Sequence, residues 1–247
     1  MSKHLKPYGD LASILAKEGR LRAAINIGNA ALAQRSDRTG DIGGVSPSLA
    51  KELARRIGSE LELVVYSSAG QIIQAADFNE WDIAFLASDP GRVDRLAFSL
   101  PYVIIEATYL VRSGSGLRAI EHIDQPGNRV CVTQNAAYDH VLTRQLKNAE
   151  IVRAPTPAET LDLFLREGFE AAAGIRQPLR TFAASQKGLE VLPGHFAVIE
   201  QAIAVAASRQ SCTTALNDFV REMLASGFVR EALEASGQVD VAVADGA

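Results

Sequence analysis

The chain contains few of the residues that build metal centres or disulfide frameworks. It has 247 residues, of which two are cysteines and four are histidines. Cys131 and Cys212 lie far apart along the chain, and no Cys or His has the spacing of a metal site. Cys131 falls within an apolar pattern of strand type. We therefore interpret both cysteines as inert core residues in preference to a disulfide, and predict no metal and no other cofactor.

Positive charge and long apolar runs are also scarce. The formal net charge is −4 at pH 7 and the pI is about 5.6, so no basic field attracts nucleic acid or an anionic membrane. No stretch approaches the roughly 18 continuous apolar residues of a membrane span. The first ten residues, MSKHLKPYGD, contain neither an apolar signal region nor a cleavage pattern. We expect no stable membrane insertion and a cytoplasmic location, or a periplasmic one if a signal peptide has been removed.

What the chain does contain is an alternation of strand-length apolar runs with segments of helical period, which is typical of βαβ units. The predicted strands are 21–27, 61–66, 83–87, 129–132, 150–153 and 171–175, with a late apolar run at 202–207. The predicted helices are 46–57, 71–76, 136–147, 156–167, a helix beginning at 179–185, and an amphipathic region at 213–236. Two Rossmann-like lobes follow from this order.

Local signals predict where some of these elements begin and end. Ser46 is the predicted N-cap of a helix with Pro47 at its first position, and Thr156 and Glu159 form the pattern of a capping box. The segment 237–247 has no helical pattern and is expected to fray. Leu11, Leu15 and Leu21 are spaced around Ile14 as an amphipathic face, which we expect to pack on the protein itself; the alternative is packing on a neighbouring protein.

The most informative segment is 81–102. A buried strand ending at Ala87 runs into a Ser-Asp-Pro-Gly turn, which delivers Arg92 just before a short helical segment that carries Phe98 inward. Open α/β sheets bind ligands at the carboxyl ends of their strands. A planar guanidinium there can make paired hydrogen bonds to a carboxylate, so the pattern predicts an anion clamp. The alternative is a solvated arginine in a surface turn.

Together these segments resemble the family 3 extracellular solute-binding proteins, which have the type II periplasmic-binding fold. The resemblance covers about 19–237 and depends on LRAAIN at 21–26, GGVSPSLAKEL at 43–53, DIA at 82–84, and Arg92 followed by LAFSLPY at 96–102. It implies an α/β fold of two Rossmann-like lobes, joined by a hinge, with a ligand cleft between them. Lobe 1 would comprise 1–104 and 201–247, and lobe 2 would comprise 105–200.

The resemblance also implies a binding site. Arg92 would grip the ligand α-carboxylate beside the strand end at Ala87. Backbone amides of Asn135, Ala136 and Ala137, at a helix start in lobe 2, would hold the same anion from the opposite side. Asn135 is equally compatible with an ordinary role as the cap of that helix.

Two positions depart from the amino-acid-binding pattern of the family. Asn29 stands where an aromatic residue commonly stacks on the ligand, and Arg176 stands near the acidic residue expected for the ligand ammonium. If Arg176 faces the cleft, the ligand should carry a second negative or acceptor group; if it faces solvent, a neutral polar ligand is favoured. Glu106, close to the crossover between lobes, is either a replacement partner for the ammonium or a salt-bridge residue of the hinge.

The expected function is capture of a small carboxylate-bearing metabolite by hinge closure. The chain would act as a monomeric binding component of an ABC-type system, docking on a permease, or as a derived cytoplasmic sensor. The alternative is an enzyme of the cyclohexadienyl or arogenate dehydratase type on the same fold. Its general acid would come from Glu106, Asp139 or Glu200.

Overall fold

A computed structural model describes residues 9–246 of the chain. Its strands are β1 (Arg20–Asn26), β2 (Gln34–Arg35), β3 (Ile42–Gly43), β4 (Glu60–Tyr66), β5 (Ile83–Ala87), β6 (Leu96–Arg112), β7 (Arg129–Thr133), β8 (Glu150–Ala154), β9 (Ala171–Ile175), β10 (Leu189–Val191), β11 (Ala197–Ala206) and β12 (Ala242–Val243). Its helices are α1 (Gly9–Leu15), α2 (Val45–Ile57), α3 (Ala69–Ala76), α4 (Ala137–Gln145), α5 (Pro157–Glu167), α6 (Arg176–Ser185), α7 (Thr213–Ala225) and α8 (Phe228–Ala235).

One sheet runs through the described part of the molecule, in the order β4-β1-β5-β11-β6-β9-β7-β8, with β10 and β12 also paired to β6. At one end β4, β1 and β5 are parallel, and at the other end β9, β7 and β8 are parallel. The long antiparallel strands β6 and β11 lie between these groups. This arrangement confirms the predicted α/β fold of two lobes. The exact lobe boundaries, 104/105 and 200/201, stay a prediction.

The amphipathic pattern of each helix explains how it covers the sheet. In α2, Leu49, Leu53 and Ile57 recur every four residues, and all three are buried. This face packs against β1 and β4, as expected for a stripe of period 3.6. In lobe 2, α5 covers β7, β8 and β9 in the same way.

Several predicted element ends are confirmed. Strands 83–87 and 171–175 match β5 and β9. Helix α5 begins at Pro157, and Thr156 is its N-cap, with the hydroxyl oxygen accepting a hydrogen bond from the Glu159 amide at 3.2 Å. Cap, proline and first turn therefore act together as the sequence indicates.

The predicted cap of α2 was wrong. The helix begins at Val45 and its N-cap is Gly44, which has φ 116°. Ser46 lies inside the first turn, and its hydroxyl is 2.9 Å from that of Tyr102. A Cβ at position 44 would lie 2.4 Å from the carbonyl oxygen of Leu32, so close backbone approach, and not side-chain capping, determines this start.

The predicted helical segment carrying Phe98 was also wrong. Only a short 3₁₀ turn, Pro90–Arg92, follows β5, and Phe98 lies on β6, half-buried. Phe98 is opposite Ala204 of β11. Pairing with a strand about a hundred residues away therefore overrides the local pattern.

The two ends of the described chain pack on the lobes. Leu11 and Leu15 of α1 are buried in the core, as expected, whereas Ile14 is 41% exposed. The tail predicted to fray instead forms β12, which pairs with β6 next to Val103 and is flanked by buried residues. Residues 1–8, on which the signal-peptide argument depends, lie outside the described residues. Across residues 9–246, none of the helices is both long and apolar enough to span a membrane.

Candidate ligand-binding site

The main cleft lies between the two lobes and has a volume of about 880 Å³, counted to its open mouth. Lobe 1 lines it with the carboxyl ends of β1 and β5 and the start of α3. Lobe 2 contributes the ends of β7 and β9 and the first turns of α4, α5 and α6. Ligands bind at this edge of an open parallel sheet because strand ends and helix starts expose backbone groups there.

The cleft wall is mostly apolar, with neutral polar groups between the apolar side chains. The larger apolar side chains are Leu32, Phe85, Leu86, Ile105, Leu161, Ile175, Leu179 and Ile199. Asn29, Ser68, Thr133, Tyr138 and Gln201 supply neutral hydrogen-bonding groups. Among the residues that the structure describes, Arg92 is the single charged side chain in the lining.

The turn after β5 positions Arg92 as the sequence predicts, inside the cleft. Asp89 accepts a hydrogen bond from the Gly91 amide at 2.9 Å, which fixes the 3₁₀ turn that ends at Arg92. Arg92 is 4% exposed. Its Nη1 donates to the carbonyl of Ala87 at 3.3 Å, and its Nη2 donates to the carbonyl of Asn135, in lobe 2, at 2.9 Å. The guanidinium therefore touches both lobes.

In the described part of the chain, Arg92 has one anionic neighbour, Asp89, and one unused hydrogen-bond donor. Burial lowers the pKa of the guanidinium, and the charge of Asp89 opposes that effect. The Asp89 carboxylate is 3.7 Å from Nε, beyond hydrogen-bond distance. Within residues 9–246, Arg92 Nε has no hydrogen-bond partner. A buried cation with an unused donor is stabilised by an anionic acceptor placed beside it.

Asp89 also joins the lobes through His140, a residue that sequence reasoning missed. His140 Nδ1, on α4, is 2.7 Å from Asp89 Oδ2. Burial on its own would raise the pKa of Asp89, but the Gly91 amide, His140 and the charge of Arg92 lower it overall. No local pattern could reveal this pair, since the two residues are 51 positions apart.

The amides predicted to face the anion are mostly engaged. The Asn135 amide donates to Asp139 Oδ2 at 3.0 Å, and the Ala136 amide donates to the carbonyl of Thr133 at 3.2 Å. The N-cap of α4 is Ala136, so Asn135 is not the cap. Asn135 has φ 60° and contributes its carbonyl to Arg92. Of the three predicted amides, that of Ala137 belongs to the first residue of α4, which lines the cleft.

Arg176 and Glu106 pair with each other, away from the cleft lining. Arg176 is 8% exposed, and its Nε donates to Glu106 Oε2 at 2.6 Å. The same guanidinium donates to the carbonyls of Leu192 and Gly194. Glu106 also lies 3.3 Å from His195 Nδ1. Arg176 thus faces neither the cleft nor solvent, and the salt-bridge interpretation of Glu106 matches this geometry.

Of the other predicted site residues, Asn29 lies in the cleft lining, whereas Asp139 and Glu200 lie outside it. Asn29 lines the cleft, and its Oδ1 is buried without a hydrogen-bond partner among the described residues. Asp139 accepts a hydrogen bond from Arg153 Nε at 3.0 Å, and Glu200 is on the exposed face of β11. Neither carboxylate is part of the lining. In residues 9–246, no group of three or more His, Cys, Asp or Glu side chains is arranged to hold a metal ion.

Comparison with known protein families shows which family the chain belongs to. The family profile of the bacterial extracellular solute-binding proteins, family 3, matches residues 21–244. The chain belongs to this family. This match confirms the resemblance to family 3 solute-binding proteins that the sequence motifs indicated. Comparison with curated protein sequences found no match.

Solved structures with the same fold include three binding proteins. A variant of ArgBP from T. maritima has a TM-score of 0.78 and 22% identity, covering 94% of this chain and 99% of that one. AbpA of Streptococcus pneumoniae, an amino acid ABC transporter substrate-binding protein bound to L-arginine, has a TM-score of 0.79 and 19% identity, covering 92% of this chain and 98% of that one. A putative ABC transporter binding component from Wolinella succinogenes, complexed with lysine, has a TM-score of 0.76 and 22% identity, covering 89% of this chain and 96% of that one.

Proposed function

We propose that this family 3 solute-binding protein captures a small carboxylate-bearing ligand between its lobes, as the binding component of an ABC-type uptake system. The observation that carries the proposal is the position of Arg92. It is a buried cation in a cleft otherwise lined by apolar and neutral polar groups, and it has an unused donor. A carboxylate is the anion that a guanidinium binds through paired, charge-assisted hydrogen bonds.

Ligand capture is coupled to closure because the site is built from both lobes. Arg92 extends from lobe 1, and the Ala137 amide belongs to the first turn of α4 in lobe 2. A ligand that contacts both groups binds the closed arrangement more tightly than an open one, which shifts the population towards closure. We include Asn29 among the proposed contacts and leave Arg176 and Glu106 out, since these two neutralise each other.

The family and its structural neighbours support the partner and the location. The family is described as extracellular, and AbpA is described as part of an amino acid ABC transporter. We therefore infer that the chain works outside the cytoplasmic membrane and delivers its ligand to a permease. That it acts as a monomer remains our expectation from the sequence. A cytoplasmic sensor on the same fold is the alternative.

The test is the loss of ligand-induced stabilisation in Arg92→Ala. Wild type and variant would be screened by thermal shift with small carboxylic acids that differ in the group next to the carboxylate. We expect at least one acid to raise the melting temperature of wild type, and Arg92→Ala to weaken its binding by about 2–5 kcal/mol. Arg118→Ala, which removes an exposed arginine of lobe 2, is the charge-matched control. Equal shifts in wild type and Arg92→Ala would contradict the proposal.

The same preparation tests the dehydratase alternative. The three candidate acids, Glu106, Asp139 and Glu200, are absent from the cleft lining. We expect no consumption of prephenate or arogenate by the purified protein. If the wild-type protein consumes either compound and Arg92→Ala does not, the protein is a dehydratase and the binding proposal is wrong.

A further inference from the structure

The cleft contains a cation for the ligand but no anion. Among the residues that the structure describes, the lining side chains include Arg92 and no aspartate or glutamate. A ligand ammonium would lose its hydration shell on entering a largely apolar cleft and would find no charged partner there. A carboxylate, in contrast, can accept hydrogen bonds from Arg92, whose neighbour Asp89 is also bonded to His140.

The carboxylates near the cleft already have cationic partners. Asp139 accepts hydrogen bonds from Arg153 Nε, and Glu106 accepts one from Arg176 Nε. Asp89 lies next to Arg92 and is bonded to His140 and to the turn amide of Gly91. None of these three carboxylates is part of the cleft lining, so none faces a ligand ammonium group there.

Asn29 offers a neutral acceptor in place of the anion. The residue follows β1, in a turn where the Gly28 amide donates to Asn26 Oδ1 at 3.0 Å. Asn29 lines the cleft, and its Oδ1 is buried with no partner in residues 9–246. An unpaired buried acceptor is costly, and a ligand hydroxyl satisfies it without bringing in a charge.

Apolar side chains enclose much of the remaining space. Leu32 and Phe85 line it from lobe 1, and Leu161 and Leu179 line it from lobe 2. Apolar walls of this kind gain free energy by covering an apolar ligand surface. They offer no anion to the charged end of an arginine or lysine side chain.

We propose that the ligand class of this cleft is a 2-hydroxy monocarboxylic acid with an apolar tail, and not an α-amino acid. Arg92 binds the carboxylate, Asn29 Oδ1 accepts the hydrogen bond from the hydroxyl, and the apolar walls cover the tail. This inference rests on the proposed capture of a carboxylate. It makes Asn29 the residue that determines specificity at the group next to the carboxylate.

Matched acids separate the possibilities. Calorimetry at pH 7 would compare 3-phenyllactate, 3-phenylpropionate and phenylalanine, which share one tail and differ in a hydroxyl, a hydrogen or an ammonium. The isobutyl series of 2-hydroxy-4-methylpentanoate, 4-methylpentanoate and leucine would be measured in parallel, with L-arginine and L-lysine. We expect the hydroxy acid of at least one series to bind at least about tenfold more tightly than its amino acid, with the unsubstituted acid between them.

Two variants of Asn29 test the assigned role. Asn29→Ala should reduce the affinity for the hydroxy acid to that for the unsubstituted acid, whose affinity should change little. Asn29→Asp supplies the missing anion and should shift the preference towards the amino acid. The melting temperature of each variant without ligand verifies that it folds. A hydroxy-acid preference that survives Asn29→Ala would overturn the role of Asn29.

The outcomes distinguish this inference from the proposed function. If an amino acid, including arginine or lysine, binds as tightly as the hydroxy acids and its binding requires Arg92, carboxylate capture stands and the ligand class is wrong. If none of the acids binds to wild type, both proposals fail.

Discussion

At the scale of single residues, the chain places buried carboxylates beside arginines. Asp82, fully buried before β5, accepts hydrogen bonds from the amide, Nε and Nη2 of Arg22 and from Nη1 of Arg209. Burial on its own would raise the pKa of Asp82, but the hydrogen bonds from Arg22 and Arg209 lower it overall. One carboxylate therefore ties β1, the start of β5 and the turn after β11 together.

Replacing Asp82 by Asn should destabilise the protein by about 3 kcal/mol, because two arginines lose their anionic partner. Since the folded pKa of Asp82 is lowered, its contribution is complete above about pH 4 and decreases as the pH falls through the folded pKa. The difference in unfolding free energy between wild type and Asp82→Asn should therefore shrink in acid. Urea titrations at pH 7 and below pH 4 measure it.

The control for this prediction is Glu62→Gln, which breaks the exposed pair between Glu62 and Arg20. An exposed pair contributes less than about 1 kcal/mol, so the control should be almost neutral. A loss from Asp82→Asn no larger than that from Glu62→Gln would contradict the account of this buried carboxylate.

At the scale of elements, two glycines at the ends of α2 have different physical roles. Gly44 has φ 116°, and an added Cβ would lie 2.4 Å from the Leu32 carbonyl oxygen. Gly58, the C-cap, has φ 69°, and an added Cβ would meet no atom within 4 Å. The first glycine is required by both conformation and space, and the second by conformation alone.

Gly44→Ala should therefore destabilise the protein by at least about 2 kcal/mol, and Gly58→Ala by about 1 kcal/mol. Denaturant unfolding of both variants, with wild type alongside, measures the difference. Equal losses would show that the contact with Leu32 relaxes at no cost.

How much the sequence predicts also depends on the element. Strand 83–87 and the capped start of α5 were predictable because their signals are local: a continuous apolar run, and Thr-Pro before an amphipathic pattern. The start of α2 and the strand position of Phe98 were not, since they depend on Leu32 and on β11. In the cleft, the position of Arg92 follows from its own strand and turn. The Asp89–His140 and Glu106–Arg176 pairs arise only from folding.

At the scale of the whole molecule, the uninterrupted sheet couples the lobes. Strands β6 and β11 pair with each other and connect the parallel groups on either side. Unfolding one lobe would remove the partners of strands in the other, so we expect one cooperative transition. Trp81, the single tryptophan, lies in lobe 1 and is buried, whereas circular dichroism reports on both lobes. Coincident urea curves from the two probes are expected; separated midpoints would show independent lobes.

The bridge between Asp89 and His140 should set the balance between open and closed arrangements. His140→Ala removes this contact between the lobes but none of the proposed ligand contacts. We expect it to weaken ligand binding about three- to tenfold by reducing the population of the closed arrangement. Calorimetry with an acid that binds wild type measures the effect, and His122→Ala, an exposed histidine of lobe 2, is the control. Unchanged affinity in His140→Ala would show that the bridge does not favour closure.

The burial of both thiols has a practical consequence for measuring these motions. Cys131 and Cys212 are the only cysteines of the chain, both are buried, and burial raises the pKa of Cys131 to about 11. Buried, protonated thiols react slowly with maleimides. A pair of cysteines introduced at exposed sites on opposite lobes can therefore be labelled with a donor and an acceptor dye without removing the native ones. Single-molecule energy transfer would then follow opening and closing directly in the otherwise native chain.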